Sequence, residues 1–275
     1  MSSNEGEELD GDMFREPDDY FEPEKPASYT ELTLRSGQKL RLRLVGHNPL
    51  WVPAHMFYIF CPFVNVSRLQ GHVLWNGGRI LSTYLQQHAS RLVHGKTLLE
   101  LGAGAGLPSL VAAILGARKV VVTDYPDVEL IDNLVYNIGT CKLLPQPATN
   151  IAAAGYLWGS SVKSLQSHLT VPSQGFDTLL LADLLFNHYC HDALVSTIRE
   201  ALAPRPDARA LVFFTPYRPW LLEKDMAFFD LCRERGLVVQ KVMEEVLDKV
   251  LFENDKGNEL LRRTIFGYEL RWKIL

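Results

Sequence analysis

From Thr97 to Asp124 the chain reads Thr-Leu-Leu-Glu-Leu, then Gly102-Ala-Gly-Ala-Gly106, then an apolar-periodic stretch opening at Leu107, then Lys119-Val-Val-Val-Thr-Asp124. That pattern predicts a buried strand, a glycine turn, a helix and a second buried strand. Three alternating glycines permit left-handed backbone and let a ligand reach the main chain with no Cβ in the way. Asp124 ends the second strand, where its carboxylate can accept both hydroxyls of a ribose. Together these residues describe a nucleoside cradle at the carboxyl edge of a parallel sheet.

Spacing separates the possible nucleosides. A dinucleotide turn needs G-x-G-x-x-G, with a helix N-terminus aimed at the pyrophosphate. Here the spacing is G-x-G-x-G, and Leu107 stands where the third dinucleotide glycine would be. Glu100, two residues before Gly102, would repel a pyrophosphate but suits a cationic amino-acid ligand, directly or through water. None of the ten tyrosines has a lysine four residues on, so the Tyr-x-x-x-Lys pair of short-chain dehydrogenases is missing. A purely structural glycine turn in another α/β protein is the remaining reading.

A length of 275 residues with 47% hydrophobic side chains supports one large α/β domain, and a formal charge of -4 gives no dominant nucleic-acid footprint. Cys61, Cys141, Cys190 and Cys232 are scattered without zinc spacing, which predicts a reducing compartment and no metal site. No signal region or membrane-length apolar run is present, so a cytoplasmic protein is expected. Residues 1–28 are acidic and proline-bearing and are expected to form a mostly disordered tail. Tyr29–Leu34 and Lys39–Val45 alternate around Ser36-Gly37 as a β-hairpin. Residues 29–275 then form one domain.

After a helix over Arg79–His88, strands are expected at Thr97–Leu101, Lys119–Thr123, Ile151–Ala153, Thr178–Ala182, Ala210–Phe214, Val238–Glu244 and Thr264–Arg271. The intervening helices are Leu107–Leu115, Val128–Ile138, Ser161–His168, Tyr189–Ala203 and Trp220–Glu234, with Asn187 as the cap of the Tyr189 helix. Repeated β-α units imply a parallel sheet with helices on both faces. The last two strands are separated only by the turn cluster Glu253–Gly257, which predicts an antiparallel hairpin. Val52–Gln70 is an aromatic-rich apolar insert broken by Pro53 and Pro62. Two readings stand for it: a short in-frame intron translated by a gene model, or an apolar loop packing on the domain or a partner. No chemistry is assigned to it.

Trp75-Asn-Gly-Gly78, the Gly102 turn, Thr123-Asp-Tyr-Pro126, Leu157-Trp-Gly159 and Asp183-Leu-Leu-Phe186 occur in the order found in methyltransferase family 16. These are lysine methyltransferases of the seven-β-strand class, and E-x-G-x-G-x-G resembles motif I of that class. Phe14-Arg-Glu-Pro17, His47-Asn-Pro-Leu-Trp51 and Tyr217-Arg-Pro-Trp220, with Lys224-Asp225 and Phe228-Phe229, resemble the fungal branch that modifies translation elongation factor 1-alpha. The resemblance implies a seven-stranded Rossmann-like sheet and S-adenosyl-L-methionine as cofactor. It also implies a monomeric enzyme with a protein substrate, elongation factor 1-alpha, methylated on its N-terminal α-amine and adjacent lysine, with no membrane or nucleic-acid partner. On this reading Gly102, Ala103 and Gly104 pass the methionine part of the cofactor, Asp124 holds the ribose and Trp158 meets the adenine. Trp75 lines the cofactor and Ala182 lies under it. Asp183 and Phe186 form the D-x-x-F element at the methyl-transfer edge, where Asp183 steers and orients the incoming ammonium. Tyr217 and Trp220 can wall a substrate channel or simply pack their loop. A methyltransferase for another protein lysine or a small amine, and a catalytically silent cofactor-binding scaffold, stay open as alternatives.

Overall fold

The computed structural model describes residues 27–45, 73–171 and 174–273. The expected acidic tail, apart from its last two residues, and the Val52–Gln70 insert lie outside the described residues. Two short strands, β1 (Ser28–Thr33) and β2 (Lys39–Leu44), form the expected antiparallel hairpin. A seven-stranded sheet follows, made of β3 (Thr97–Leu101), β4 (Lys119–Asp124), β5 (Ile151–Gly155), β6 (Thr178–Ala182), β7 (Arg209–Phe214), β8 (Leu237–Val246) and β9 (Thr264–Trp272). Their spatial order is β5-β4-β3-β6-β7-β9-β8, with the first five parallel and both pairings of β9 antiparallel.

That order reverses between β3 and β6. From β3 the chain winds outward through β4 and β5, then returns to the middle and winds the other way. Ligands in open α/β sheets bind outside the carboxyl ends of the strands at such a switch point. The turn after β3 and the segment after β6 are therefore brought side by side.

The period of two along each strand divides the core. Leu99, Leu179, Leu181, Val212 and Phe214 pack with Leu194, Ile198, Phe228 and Phe229 on one face of the sheet. Leu98, Leu180, Leu211 and Phe213 pack with Leu81, Leu85, Leu110 and Val111 on the other, where the hairpin adds Leu40, Leu42 and Leu44. Strands covered on both faces read as continuous apolar runs, as these do. Among the described residues no helix is long and apolar enough to cross a membrane.

Helices α1 (Asn76–Gln87), α3 (Leu107–Ile114) and α4 (Val128–Thr140) fall where helices were expected, with bounds differing by one to three residues, and the single turn α2 (Ala89–Leu92) was not expected. Helix α1 starts three residues earlier than expected because its N-terminus takes a distant cap, described below. Ser161–His168 shrinks to α5 (Lys163–Gln166), a single turn. Only Val162 and Leu165 are buried in that polar stretch, so little apolar surface supports a longer helix. The helices expected from Tyr189 and Trp220 open instead as 3₁₀ turns, His188–Cys190 and Pro219–Leu221, followed by α6 (His191–Ala201) and α7 (Leu222–Glu234). Asn187 makes no side-chain cap bond there, which corrects that expectation. Between β8 and β9 lies an unexpected helical turn, α8 (Glu259–Arg262), capped by Asn258, whose carboxamide oxygen accepts from Leu261 N at 3.2 Å.

Candidate active site

Gly102, Gly104 and Gly106 all hold positive φ angles (60°, 55° and 76°), so the turn after β3 is left-handed three times in five residues. A Cβ on Gly102 would stand 2.6 Å from Leu184 Cδ2 and 3.2 Å from Trp158 Cζ2, whereas one on Gly104 would meet nothing within 4 Å. Gly102 is thus wedged between the β6 edge and the Trp158 ring, and Gly104 faces open space where a ligand can approach the backbone. The turn is tied to β4: Ala103 N donates to Thr123 O (3.0 Å) and Gly104 N to Asp124 Oδ2 (2.6 Å).

Asp124 Oδ1 accepts from Tyr125 N at 2.7 Å. Two of the roughly four acceptor positions of this carboxylate are therefore filled by backbone, and the rest remain for hydroxyls. Burial raises its pKa, against hydrogen bonds from Gly104 and Tyr125 that pull it down.

Glu100 does something other than the sequence suggested. Its side chain is 1% exposed and Oε2 accepts from Ser109 N at 2.9 Å, the third residue of α3. Gly106 has no side chain with which to cap that helix, so Glu100 takes over one of its orphan donors. The carboxylate is turned inward and does not reach out to a ligand, which corrects the earlier reading. Burial pushes its pKa from 4.5 up to about 8, against hydrogen bonding from Ser109 and with help from the Asp124 charge. A pKa above its unfolded value means that the fold favours the protonated form. The stability it contributes is complete below about 4.5 and lost as pH rises through about 8. Thermal melts between pH 6 and 9 are expected to show Glu100→Gln gaining on the native protein across that window. A pH-independent difference would contradict this.

After β6, Asp183 is a non-glycine residue with a positive φ of 54°. Its Oδ2 accepts from Gly77 N at 2.6 Å and its Oδ1 from Thr215 N at 2.8 Å. It therefore caps α1 from a distance of 106 residues in sequence and ties that helix to the end of β7. A Cβ on Gly77 would fall 2.6 Å from Asp183 Oδ2, which is why glycine stands there. Burial pushes the Asp183 pKa up to about 7, against hydrogen bonds from Thr215, Gly77 and Tyr217.

Beside Asp183 lies an aromatic group. Trp75 meets Tyr217 edge-on at 5.0 Å and Phe252 at 5.6 Å, and Tyr217 meets Phe252 at 5.7 Å. Tyr217 Oη accepts from Asn76 N at 3.2 Å. Burial and the Asp183 charge raise the Tyr217 pKa. Asn76 Nδ2 is buried with no partner among the described residues.

Trp75, Gly102, Ala103, Gly104, Asp124, Trp158, Ala182, Asp183 and Phe186 thus all fall at the carboxyl edge of the sheet around its switch point. Phe186 is half-buried, and its carbonyl accepts from Arg218 Nη2 at 2.5 Å. Trp220 is 60% exposed and is not part of the aromatic group, whereas Tyr217 is. Phe252 escaped the sequence reading; the available signal was that it is the only aromatic residue between β8 and β9.

A seven-stranded sheet of this order with a glycine turn after its first strand and an acidic residue ending its second defines a Rossmann-like methyltransferase. The chain belongs to the lysine methyltransferase family, whose model matches residues 65–235. It is 46% identical over 267 residues to the protein N-terminal and lysine N-methyltransferase efm7 of Emericella nidulans, covering 96% of each chain. A protein of the same name from Neurospora crassa is 44% identical, covering 99% of this chain and 92% of that one. The one from Schizosaccharomyces pombe is 39% identical, covering 94% of each. Among solved structures, a putative SAM-dependent methyltransferase from Streptococcus mutans shares the fold at 12% identity, with a TM-score of 0.55, covering 91% of this chain and 57% of that one.

Proposed function

We propose that this protein methylates the N-terminal α-amine and the adjacent lysine of translation elongation factor 1-alpha in the cytoplasm, using S-adenosylmethionine. The observation that carries this reading is the near full-length similarity to relatives named for N-terminal and lysine methylation. Elongation factor 1-alpha as the substrate comes from the motif resemblance around Tyr217–Trp220 and Lys224-Asp225.

The residues present fit the cofactor. Gly104 leaves open space beside the main chain, Asp124 has unused acceptor positions, and Asn76 Nδ2 is an unclaimed buried donor. S-adenosylmethionine supplies, when bound, an activated methyl group on a sulfonium. Gly102, Ala103 and Gly104 hold its methionine part, Asp124 its ribose and Trp158 its adenine, with Trp75 and Ala182 lining the remainder. Trp158→Ala is expected to weaken binding of S-adenosylhomocysteine about tenfold, the order of a lost aromatic contact plus its buried area, which titration calorimetry measures. Unchanged binding would remove Trp158 from the adenine site.

The substrate nitrogen must present a lone pair, yet a lysine with pKa about 10.4 or an α-amine near 8 is largely protonated at neutral pH. Trp75, Tyr217, Phe252 and Phe186 favour the neutral amine by excluding water, since desolvation lowers an amine's pKa. Asp183 works against this if it acts as an ion-pair partner, because a nearby carboxylate raises that pKa. Its contribution is to attract the ammonium to the port and, through Gly77 N and Thr215 N, to fix the edge at which amine and methyl meet. The amine proton leaves to water.

Labelled S-adenosylmethionine added to the protein with an extract from cells lacking the native enzyme tests the reading. One labelled band at elongation factor size, with terminal-peptide masses placing methyl groups on the first two residues, is expected. Label in other proteins or in small molecules would overturn the substrate assignment.

A further inference from the structure

We propose that Asn137 is a positioning residue for the cofactor turn, and that the N-terminal hairpin supports that turn through it. The inference rests on reading Gly102–Gly106 as the cofactor cradle.

Asn137 lies on α4 with its side chain 1% exposed. Its Oδ1 accepts from Arg43 N at 2.8 Å, and its Nδ2 donates both to Arg43 O at 2.9 Å and to Ala105 O at 3.0 Å. One carboxamide therefore joins the outer edge of β2 to the glycine turn. A strand with no second neighbour normally leaves its N–H and C=O groups open; here the Asn137 amide engages both groups of Arg43, as a partner strand would.

The same helix face holds Arg43 in other ways. Asn133, one turn earlier, accepts from Arg43 Nε at 2.8 Å and donates to Arg43 O at 3.1 Å. The guanidinium stacks 3.9 Å over the Tyr136 ring. Positions 133, 136 and 137 share one face by their three- and four-residue spacing. Of this group, Asn137 also bonds the turn.

The turn is held from β4 by Ala103 N–Thr123 O and Gly104 N–Asp124 Oδ2. Ala105 O–Asn137 Nδ2 is an anchor from a different element. A segment with three glycines loses much conformational freedom when it is ordered. Fixing it before the ligand arrives lowers the ordering cost that binding must meet.

Asn133 supplies the control. Asn133→Ala loosens the hairpin but leaves Ala105 O bonded, whereas Asn137→Ala breaks both links. Calorimetric titration with S-adenosylhomocysteine, alongside melting curves without ligand, separates the two. At comparable losses of melting temperature, Asn137→Ala is expected to bind about tenfold more weakly, with KM for the cofactor raised in parallel and kcat at saturation retained, while Asn133→Ala stays within about twofold. Should Asn137→Ala not fold, Asn137→Asp keeps the acceptor for Arg43 N, loses the donor to Ala105 O and is expected to weaken binding likewise. Native affinity in a folded Asn137 variant, or an equal loss in Asn133→Ala, overturns the proposal. A native protein that binds no S-adenosylhomocysteine overturns the cradle reading beneath it.

Discussion

Asp183→Ala is expected to lose turnover by on the order of 100-fold or more, with little change in cofactor affinity. The carboxylate accepts from Gly77 N and Thr215 N across three elements that meet at the carboxyl edge of the sheet, the proposed place of methyl transfer. Removing it leaves two buried donors unpaired, at about 1–3 kcal/mol each. Alanine must also hold the left-handed φ of 54°, at about 1–2 kcal/mol. On the proposed reading, the relaxed edge moves Trp75 and Tyr217 relative to the methyl group, and a misplacement of about 1 Å costs on the order of 100-fold in rate. Asp183→Asn tolerates the backbone conformation but turns one acceptor into a donor facing an N–H group. It is expected to fall between the native enzyme and the alanine variant. Because burial pushes the Asp183 pKa up to about 7, native turnover is expected to gain a rising limb through that pH, which Asp183→Asn lacks. Steady-state kinetics across pH 6 to 9 with calorimetry on the same samples measures both effects. A folded Asp183→Ala enzyme with native kcat would remove Asp183 from the site.

Features written in consecutive residues were legible in the sequence. Strands β3, β4, β6 and β7 are apolar runs with turn residues at their ends, and the glycine spacing marked the left-handed turn after β3. Features that depend on distant partners were not. Helix α1 begins at Asn76, in front of two glycines that read locally as helix breakers, because Asp183 caps it from 106 residues away. Glu100 sits beside the cradle in sequence, yet its side chain turns to Ser109 N because α3 starts behind a glycine with nothing to cap it. Phe252 lies in a polar loop whose position over Trp75 and Tyr217 depends on how β8 and β9 fold back. Asn137 reads as an ordinary polar residue in an amphipathic helix, and only the hairpin and the turn converging on it give it a duty. Local pattern fixes the elements; the site's supports are contacts between them.

Asp124→Ala is expected to lower cofactor affinity by about two to four orders of magnitude, roughly what two charge-assisted hydrogen bonds at about 1.5–3 kcal/mol each contribute. Two effects add. The variant loses the proposed acceptor for the ribose hydroxyls, and it releases Gly104 N, whose 2.6 Å bond to Oδ2 holds the open side of the glycine turn. Asp124→Asn separates them. Its carboxamide oxygen can keep either Gly104 N or Tyr125 N, but the amide nitrogen meets a donor at the other position, and the negative charge is gone. It is expected to lose affinity by an intermediate amount. Glu100 reports independently on the same change: the Asp124 charge is one cause of its raised pKa, so either variant should move the Glu100-dependent loss of stability to lower pH. That loss is read from melting curves without ligand. Calorimetry with S-adenosylhomocysteine measures the affinity, and native binding by Asp124→Ala would place the ribose elsewhere on the sheet edge.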